Sequence, residues 1–173
     1  MIPMKIYIAG SSKDIERCEA WRDRCVGAGI EITEDWMSEM RSTPNDALLD
    51  HDRLVACALA DIRGVETADV LWLLAPPVSK PSGGCWNELD RAQVRGKPIV
   101  YSPPPVERPQ FNIFTTLIDT SSARPILQQS RICKTDDEAF AFLLERLAAA
   151  RCDHPAVYDS SPSVCTNCGT EVA

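Results

Sequence analysis

The chain has 173 residues, 45% of them hydrophobic and 25% charged, with a formal net charge of −7. That length suits one core of ordinary domain size plus an appendage. The acidic balance leaves little to offset phosphate repulsion, which argues against a nucleic-acid partner, and no apolar run approaches the roughly 20 residues needed to span a bilayer.

No basic-plus-apolar leader precedes the first strand-like segment. Eight cysteines, several of them in probable helices, do not read as a disulfide framework, so a reducing cytoplasm is the expected compartment. Residues 4–9 form a short apolar run that ends in Gly10-Ser11-Ser12, a first parallel strand running into a turn. Tyr7 within it is either a half-buried strand residue or a hydroxyl aimed at a ligand. Ile15, Cys18, Trp21, Cys25 and Ala28 recur at helical spacing, predicting a helix over 14–29 with Gly29 as its stop. Residues 30–33 alternate as a second strand, followed by a loop through Glu34-Asp35-Trp36. Ser42-Thr43-Pro44-Asn45 punctuates the chain and opens a helix over 46–62.

In that helix Leu54, Ala58, Asp61 and Val65 are spaced by four, three and four, with Val55, Leu59 and Ile62 alongside. Asp61 therefore lies on or beside the apolar face, where an unpaired carboxylate is expensive to bury. Either it caps a short turn around Ile62-Arg63-Gly64, or it pairs with something or borders a cavity. The third strand, 70–74, runs into Pro81-Ser82-Gly83-Gly84 and delivers Glu88 in the first turn of a helix that stops at Gly96. Ligands bind at the carboxyl ends of strands in open α/β sheets, and a helix N-terminus favours ionised carboxylate. Glu88 is then a candidate nucleophile, or it merely satisfies the helix dipole. Cys85 stands at the same helix start, where a thiolate is favoured, but no histidine near it in sequence supplies a base. It is grouped with Cys18, Cys25, Cys57 and Cys133 as a small core residue.

A fourth strand follows over 96–101, then a proline-rich loop that cannot join a sheet interior, and a fifth strand over 111–118. Thr135-Asp136-Asp137-Glu138 is a capping box that opens a helix through 150. The alternation predicts an α/β fold, a flavodoxin- or Rossmann-like three-layer sandwich with a parallel sheet of about five strands. Residues 1–150 form this domain and 151–173 a small tail. In the tail stand Cys152, His154, Cys165 and Cys168, with the last pair two residues apart and followed by Gly169. Four such ligands suit a structural tetrahedral zinc, and metal binding would fold a segment too small for its own core. Free thiols or a redox dithiol are the alternatives.

Three motifs in order, Lys5-Ile6-Tyr7-Ile8-Ala9-Gly10-Ser11, Ala60-Asp61-Ile62-Arg63-Gly64 and Ser82-Gly83-Gly84-Cys85-Trp86-Asn87-Glu88-Leu89, resemble the nucleoside 2-deoxyribosyltransferase superfamily, which includes 2'-deoxynucleoside 5'-monophosphate N-glycosidases. The resemblance covers residues 4–120 and leaves the tail outside. It implies that Glu88 attacks C1' of the sugar, that Asp61 handles the proton of the departing base, and that Tyr7 orients the nucleophile. The transferases carry an aspartate where this chain has Ser82, so the resemblance is closer to the nucleotide N-glycosidases, because a neutral hydroxyl accepts a 5'-phosphate that a carboxylate repels. Gly10, Ser11 and Gly84 join Ser82 as expected substrate-binding positions, and Ser12 and Lys80 also suit an anion. Trp86-Asn87 and Asp90 depart from the family pattern and leave the base pocket undefined; Trp36 is either its stacking wall or a core residue. The family also implies a homo-oligomer in which a neighbouring subunit completes the 5' site, with Asn112, Thr115 or Thr116 as candidates.

The expected activity is hydrolysis of the N-glycosidic bond of a nucleoside 5'-monophosphate, without a catalytic cofactor. Alternatives are a base-exchanging transferase and a non-catalytic nucleotide-sensing module.

Overall fold

All five side chains of β3 (Val70–Leu74) are buried, the signature of a parallel strand covered on both faces. The computed structural model describes residues 4–43, 50–110, 112, 130–151, 163–164 and 171–172. Around β3 lie β1 (Lys5–Ala9), β2 (Glu31–Ile32), β4 (Ile99–Ser102) and β5 (Arg131–Ile132). They form one all-parallel sheet in the order β2-β1-β3-β4-β5. The helices are α1 (Ile15–Gly27), α2 (Trp36–Ser42), α3 (His51–Thr67), α4 (Gly84–Val94) and α5 (Asp136–Arg151), and a 3-10 turn at Ser12–Asp14 precedes α1.

Period-two alternation along the strands sorts the core into two layers. Ile6, Ile8, Val70, Trp72 and Val100 face α1 and α5, where Trp21, Cys25, Leu143 and Leu147 complete the cluster. Tyr7, Ala9, Leu71, Leu73 and Ile99 face α3 and α4, against Val65, Trp86, Leu89 and Ala92. Gly29 (φ 78°) and Gly96 (φ 66°) end α1 and α4 in the left-handed conformation that glycine accepts without strain. Thr135 caps α5 by accepting from Glu138 N–H at 3.1 Å.

One buried carboxylate at the start of α5 ties that helix to α1 and β4. Asp136 accepts from Arg17 Nε at 2.8 Å and Nη2 at 2.7 Å, from Trp21 Nε1 at 2.9 Å, and from Ser102 Oγ at 2.5 Å. Arg17 also donates to the carbonyls of Ala75 and Pro103. Its charge is thus fully met inside the protein, the condition under which a buried ion pair holds.

Several elements differ from the sequence expectation. Trp36 opens a short helix rather than a loop, because the Asp35 carboxylate caps it by accepting from Ser38 N–H at 3.2 Å. The next helix begins at His51, where Asp50 accepts from Asp52 N–H at 3.0 Å, and it continues past Ile62 to Thr67. Asp61 is therefore mid-helix and caps nothing. Only Gly64 and Val65 of α3 are buried, while Leu54, Val55 and Leu59 are 45%, 43% and 48% exposed. Cys57 is half-buried rather than in the core. The strand expected over 111–118 falls outside the described residues except Asn112, and the fifth sheet position is occupied by β5.

Beyond α5, β6 (Ser163–Val164) and β7 (Glu171–Val172) pair antiparallel. Cys152, His154, Cys165 and Cys168 lie outside the described residues. No helix among the described residues is long and apolar enough to cross a membrane.

Candidate active site

The strand order reverses between β1 and β3, so the connections from their carboxyl ends leave in opposite directions and open a crevice there. Tyr7, wholly buried on β1, points to the α3–α4 face of the sheet. Its hydroxyl lies 3.0 Å from Glu88 Oε1 and 3.1 Å from Asp61 Oδ1. Two residues from different helices therefore meet on one phenol, and those two carboxylate oxygens are no more than about 6 Å apart.

Glu88 is not in the first turn of its helix. It stands one turn in from Gly84, and the first turn of α4 contains no acidic residue. Burial, rather than the helix dipole, dominates its chemistry. Glu88 Oε2 is buried without a hydrogen-bond partner among the described residues. Burial and then the charge of Asp61 push Glu88 up to about 8, against the lowering effect of the Tyr7 hydrogen bond. Burial likewise raises Asp61 to about 6, opposed by the Tyr7 hydrogen bond and assisted by Glu34 and Glu39. Burial and the two carboxylates drive Tyr7 far above its ordinary range, so it stays a phenol.

Tyr7 has one proton and two partners. It donates to one carboxylate, and the second contact is a hydrogen bond only if the other carboxyl carries a proton and donates to the phenol oxygen. The raised values of both acids fit that arrangement, a pair sharing one proton.

A cavity of about 330 Å³ opens over the pair, within the range of small-molecule sites. Gly10, Ser82, Gly84 and Trp36 line it, as does Ser12. A side chain at Gly10 would put its Cβ 2.5 Å from Cys18 Sγ, so the loop after β1 can pass there only as glycine. Ser82 N–H donates to Gln110 Oε1 at 3.1 Å, fixing the loop that enters α4. Trp36 packs against both core layers and also faces the cavity, with Nε1 donating to Ile8 O at 2.8 Å. A second cavity of about 350 Å³ lies between α3 and α4 and reaches Asp61 and Glu88 from the other side.

Some expected residues stand elsewhere. Ser11 is buried, and its hydroxyl accepts from Lys13 N–H at 3.2 Å. Lys80 is tied to Asp14 Oδ1 at 2.7 Å, away from the carboxylate cavity. Asn112 is half-buried and does not line that cavity; Thr115 and Thr116 lie outside the described residues. Burial pushes the Cys85 thiol up to about 12, so the helix start does not make it a thiolate.

The cavity wall also holds Glu39, Thr43, Arg53 and Cys57, none of which the sequence pointed to as a site residue. Arg53, Cys57 and Asp61 are each four residues apart, a stripe on one face of α3 that the spacing alone contains. No family model matches the chain, and no curated protein matches it.

Proposed function

We propose that this protein hydrolyses the N-glycosidic bond of a nucleoside 5'-monophosphate through a glycosyl-enzyme on Glu88. The observation that carries the reading is the convergence of Glu88 and Asp61 on the Tyr7 hydroxyl beside an open cavity. Oxygens no more than about 6 Å apart match the close carboxyl spacing of retaining glycosidases rather than the wider gap of inverting ones. The finer fold reading, a flavodoxin- or Rossmann-like sandwich, draws support from the strand order and places the crevice where that architecture binds nucleotides.

In this mechanism the shared proton starts on Glu88, the more buried acid. Glu88 passes its proton to the Tyr7 oxygen while Tyr7 passes its own to Asp61, leaving a carboxylate on Glu88 and an acid on Asp61. Glu88 attacks C1', the bonding pair of the C1'–N bond leaves with the base, and the Asp61 proton transfers to the base. Water then attacks C1'. Asp61 accepts the water proton, sugar phosphate departs, and Glu88 is regenerated.

Gly83 caps α4 without a side-chain hydrogen bond, so the first N–H groups of that helix suit a phosphate beside Ser82. In the tail, pairing of β6 with β7 draws together the ends of the segment that carries Cys165 and Cys168, which supports the zinc reading. The exposed Leu54, Val55 and Leu59 support the homo-oligomer.

The test is base release from a panel of nucleoside monophosphates by wild type, Glu88→Ala and Glu88→Gln. Equal inertness of all three while nucleotides still bind would leave a sensing module. Formation of a new nucleoside on adding a second free base would make the protein a transferase.

A further inference from the structure

Besides Ser82, the wall of the 330 Å³ cavity carries a flat ring, an acceptor and a donor. Trp36 supplies the ring, held by its bond to Ile8 O. Glu39 on α2 supplies the acceptor; its Oε1 receives the Cys57 thiol at 3.1 Å. Arg53 on α3 supplies the donor, and its Nη2 donates to Thr43 Oγ1 at 2.5 Å. Both charged groups line the same cavity, yet among the described residues Glu39 pairs with no cation and Arg53 with no carboxylate. Half-buried charges that face one space without meeting suit a ligand that separates them and bonds to each.

We propose that Trp36, Glu39 and Arg53 form the base-recognition subsite, and that the base they select is adenine. The inference rests on the reading of the site given above, because it takes Asp61 as the group next to the glycosidic bond.

The order of groups along α3 decides between the bases. Asp61 stands at the reacting end. Cys57, with Glu39 bonded to it, is one turn away, and Arg53 is two turns away, about 12 Å along the axis at 1.5 Å per residue. From the glycosidic bond outward, the ligand therefore meets an acid that gives a proton, then a carboxylate that accepts, then a guanidinium that donates. Adenine presents the complementary series on one edge: N7 accepts, the 6-amino group donates, and N1 accepts. Guanine and hypoxanthine present O6, an acceptor, where the carboxylate stands, and N1–H, a donor, where the guanidinium stands. Cytosine has an amino group beside an acceptor, but it lacks the nitrogen that would take the Asp61 proton on that edge, and its single ring reaches less far toward Arg53. A phosphate bound at Arg53 would meet the Glu39 carboxylate, so the 5'-phosphate belongs at the α4 end.

The experiment compares 2'-deoxyadenosine and 2'-deoxyinosine 5'-monophosphates, which differ at the 6-position and N1, using the full chain. Wild type is expected to favour the adenine nucleotide by at least about 10-fold in kcat/KM, since a polar site rejects a base that leaves its groups unpaired. Glu39→Gln is expected to narrow that ratio, because an amide can donate to O6. Arg53→Met is expected to raise KM with little change in kcat, and Arg53→Lys to restore part of it. The second readout is calorimetric binding of free adenine and hypoxanthine to wild type and Glu39→Gln, which needs no turnover. Preference for a 6-oxopurine or a pyrimidine, or a ratio that Glu39→Gln leaves unmoved in both readouts, overturns the proposal. If no nucleotide is cleaved but adenine binds with a Glu39-dependent preference, the hydrolase reading fails and the subsite stands.

Discussion

Gly64 packs directly on the ring of Tyr7: a Cβ there would lie 2.8 Å from Tyr7 Cδ2 and 2.6 Å from Glu34 Cβ. This bare backbone lets α3 come close enough to β1 for Asp61, one turn earlier, to reach the Tyr7 hydroxyl. Gly64→Ala has two stiff neighbours to displace, and overpacking of that kind costs about 1–3 kcal/mol. A lowered Tm is therefore expected together with at least a 10-fold loss of base release at temperatures where the variant is still folded. An alanine variant with wild-type activity would remove the close approach from the mechanism.

Tyr7→Phe keeps the buried ring and deletes the hydroxyl that touches both acids. Native folding with kcat reduced about 10²-fold is expected, the size of a lost proton-transfer step. The Tyr7 hydrogen bond lowers both Asp61 and Glu88, so its removal moves the acid limb of the activity profile to higher pH. A rate loss with an unmoved profile would reduce Tyr7 to a packing residue.

The active form of the pair carries one proton. Activity is expected to peak between about 6 and about 8, the values to which burial raises Asp61 and Glu88, and to fall on both sides. Below that window Glu88 is protonated as well as Asp61, and above it no acid remains for the base. A flat profile from pH 5 to 9, measured on kcat, would contradict the shared proton.

Stability follows the same carboxyl with a definite sign. Glu88 holds its proton more tightly in the fold, near 8, than at its ordinary value of 4.5. Its contribution is therefore complete below the ordinary value and is lost as pH rises through about 8. Glu88→Gln, which cannot ionise, is expected to be more stable than wild type at pH 9 by about 4–5 kcal/mol, the shift from 4.5 to about 8 at about 1.4 kcal/mol per unit, or roughly 8–20 °C in Tm. The gap should close near pH 5. Thermal melts at the two pH values decide it.

Asp136→Asn would leave Arg17 buried with only Asp14, 3.8 Å from Nη1, as a counter-charge. A loss of about 3 kcal/mol or more is expected in urea unfolding, whereas Ser102→Ala, which removes a neutral donor to Asp136 and the acceptor of the buried Trp72 Nε1, should cost about 1–2 kcal/mol. Equal effects would mean that the ion pair adds nothing beyond a hydrogen bond. For the tail, metal analysis of purified protein should find about one zinc per chain. A Cys165→Ser variant that keeps the full equivalent would overturn the four-ligand site.

Much of the sheet is written locally. The uninterrupted run of β3 and the Thr135 capping box need no distant partner to be recognised. Asp61 was conspicuous because a carboxylate on an apolar stripe has to be accounted for. By contrast α2 is seven residues long, too short for a periodic signal, and depends on one Asp35 cap. β5 is Arg131–Ile132, two residues whose strand character comes only from pairing with β4. Glu39 and Arg53 look like ordinary surface charges until α2 and α3 face each other. The apolar stripe of α3 is no core face: Leu54 borders the cavity and Leu59 is exposed to solvent.

The strand order has a consequence for how the chain comes into being. β1 lies between β2 and β3, and its pairing with β2 covers only two residue positions. The longer pairing, Ile6↔Val70 through Ala9↔Leu73, joins segments more than sixty residues apart. As the chain leaves the ribosome, its first strand must wait with one edge open until β3 has been made, and Arg17 waits longer still for Asp136. Non-local parallel pairing of this kind forms slowly and leaves unpaired edges exposed meanwhile. The meeting of Tyr7, Asp61 and Glu88 thus waits on β3 and α4, and fragments that stop before residue 74 lack the strand that pairs most extensively with β1.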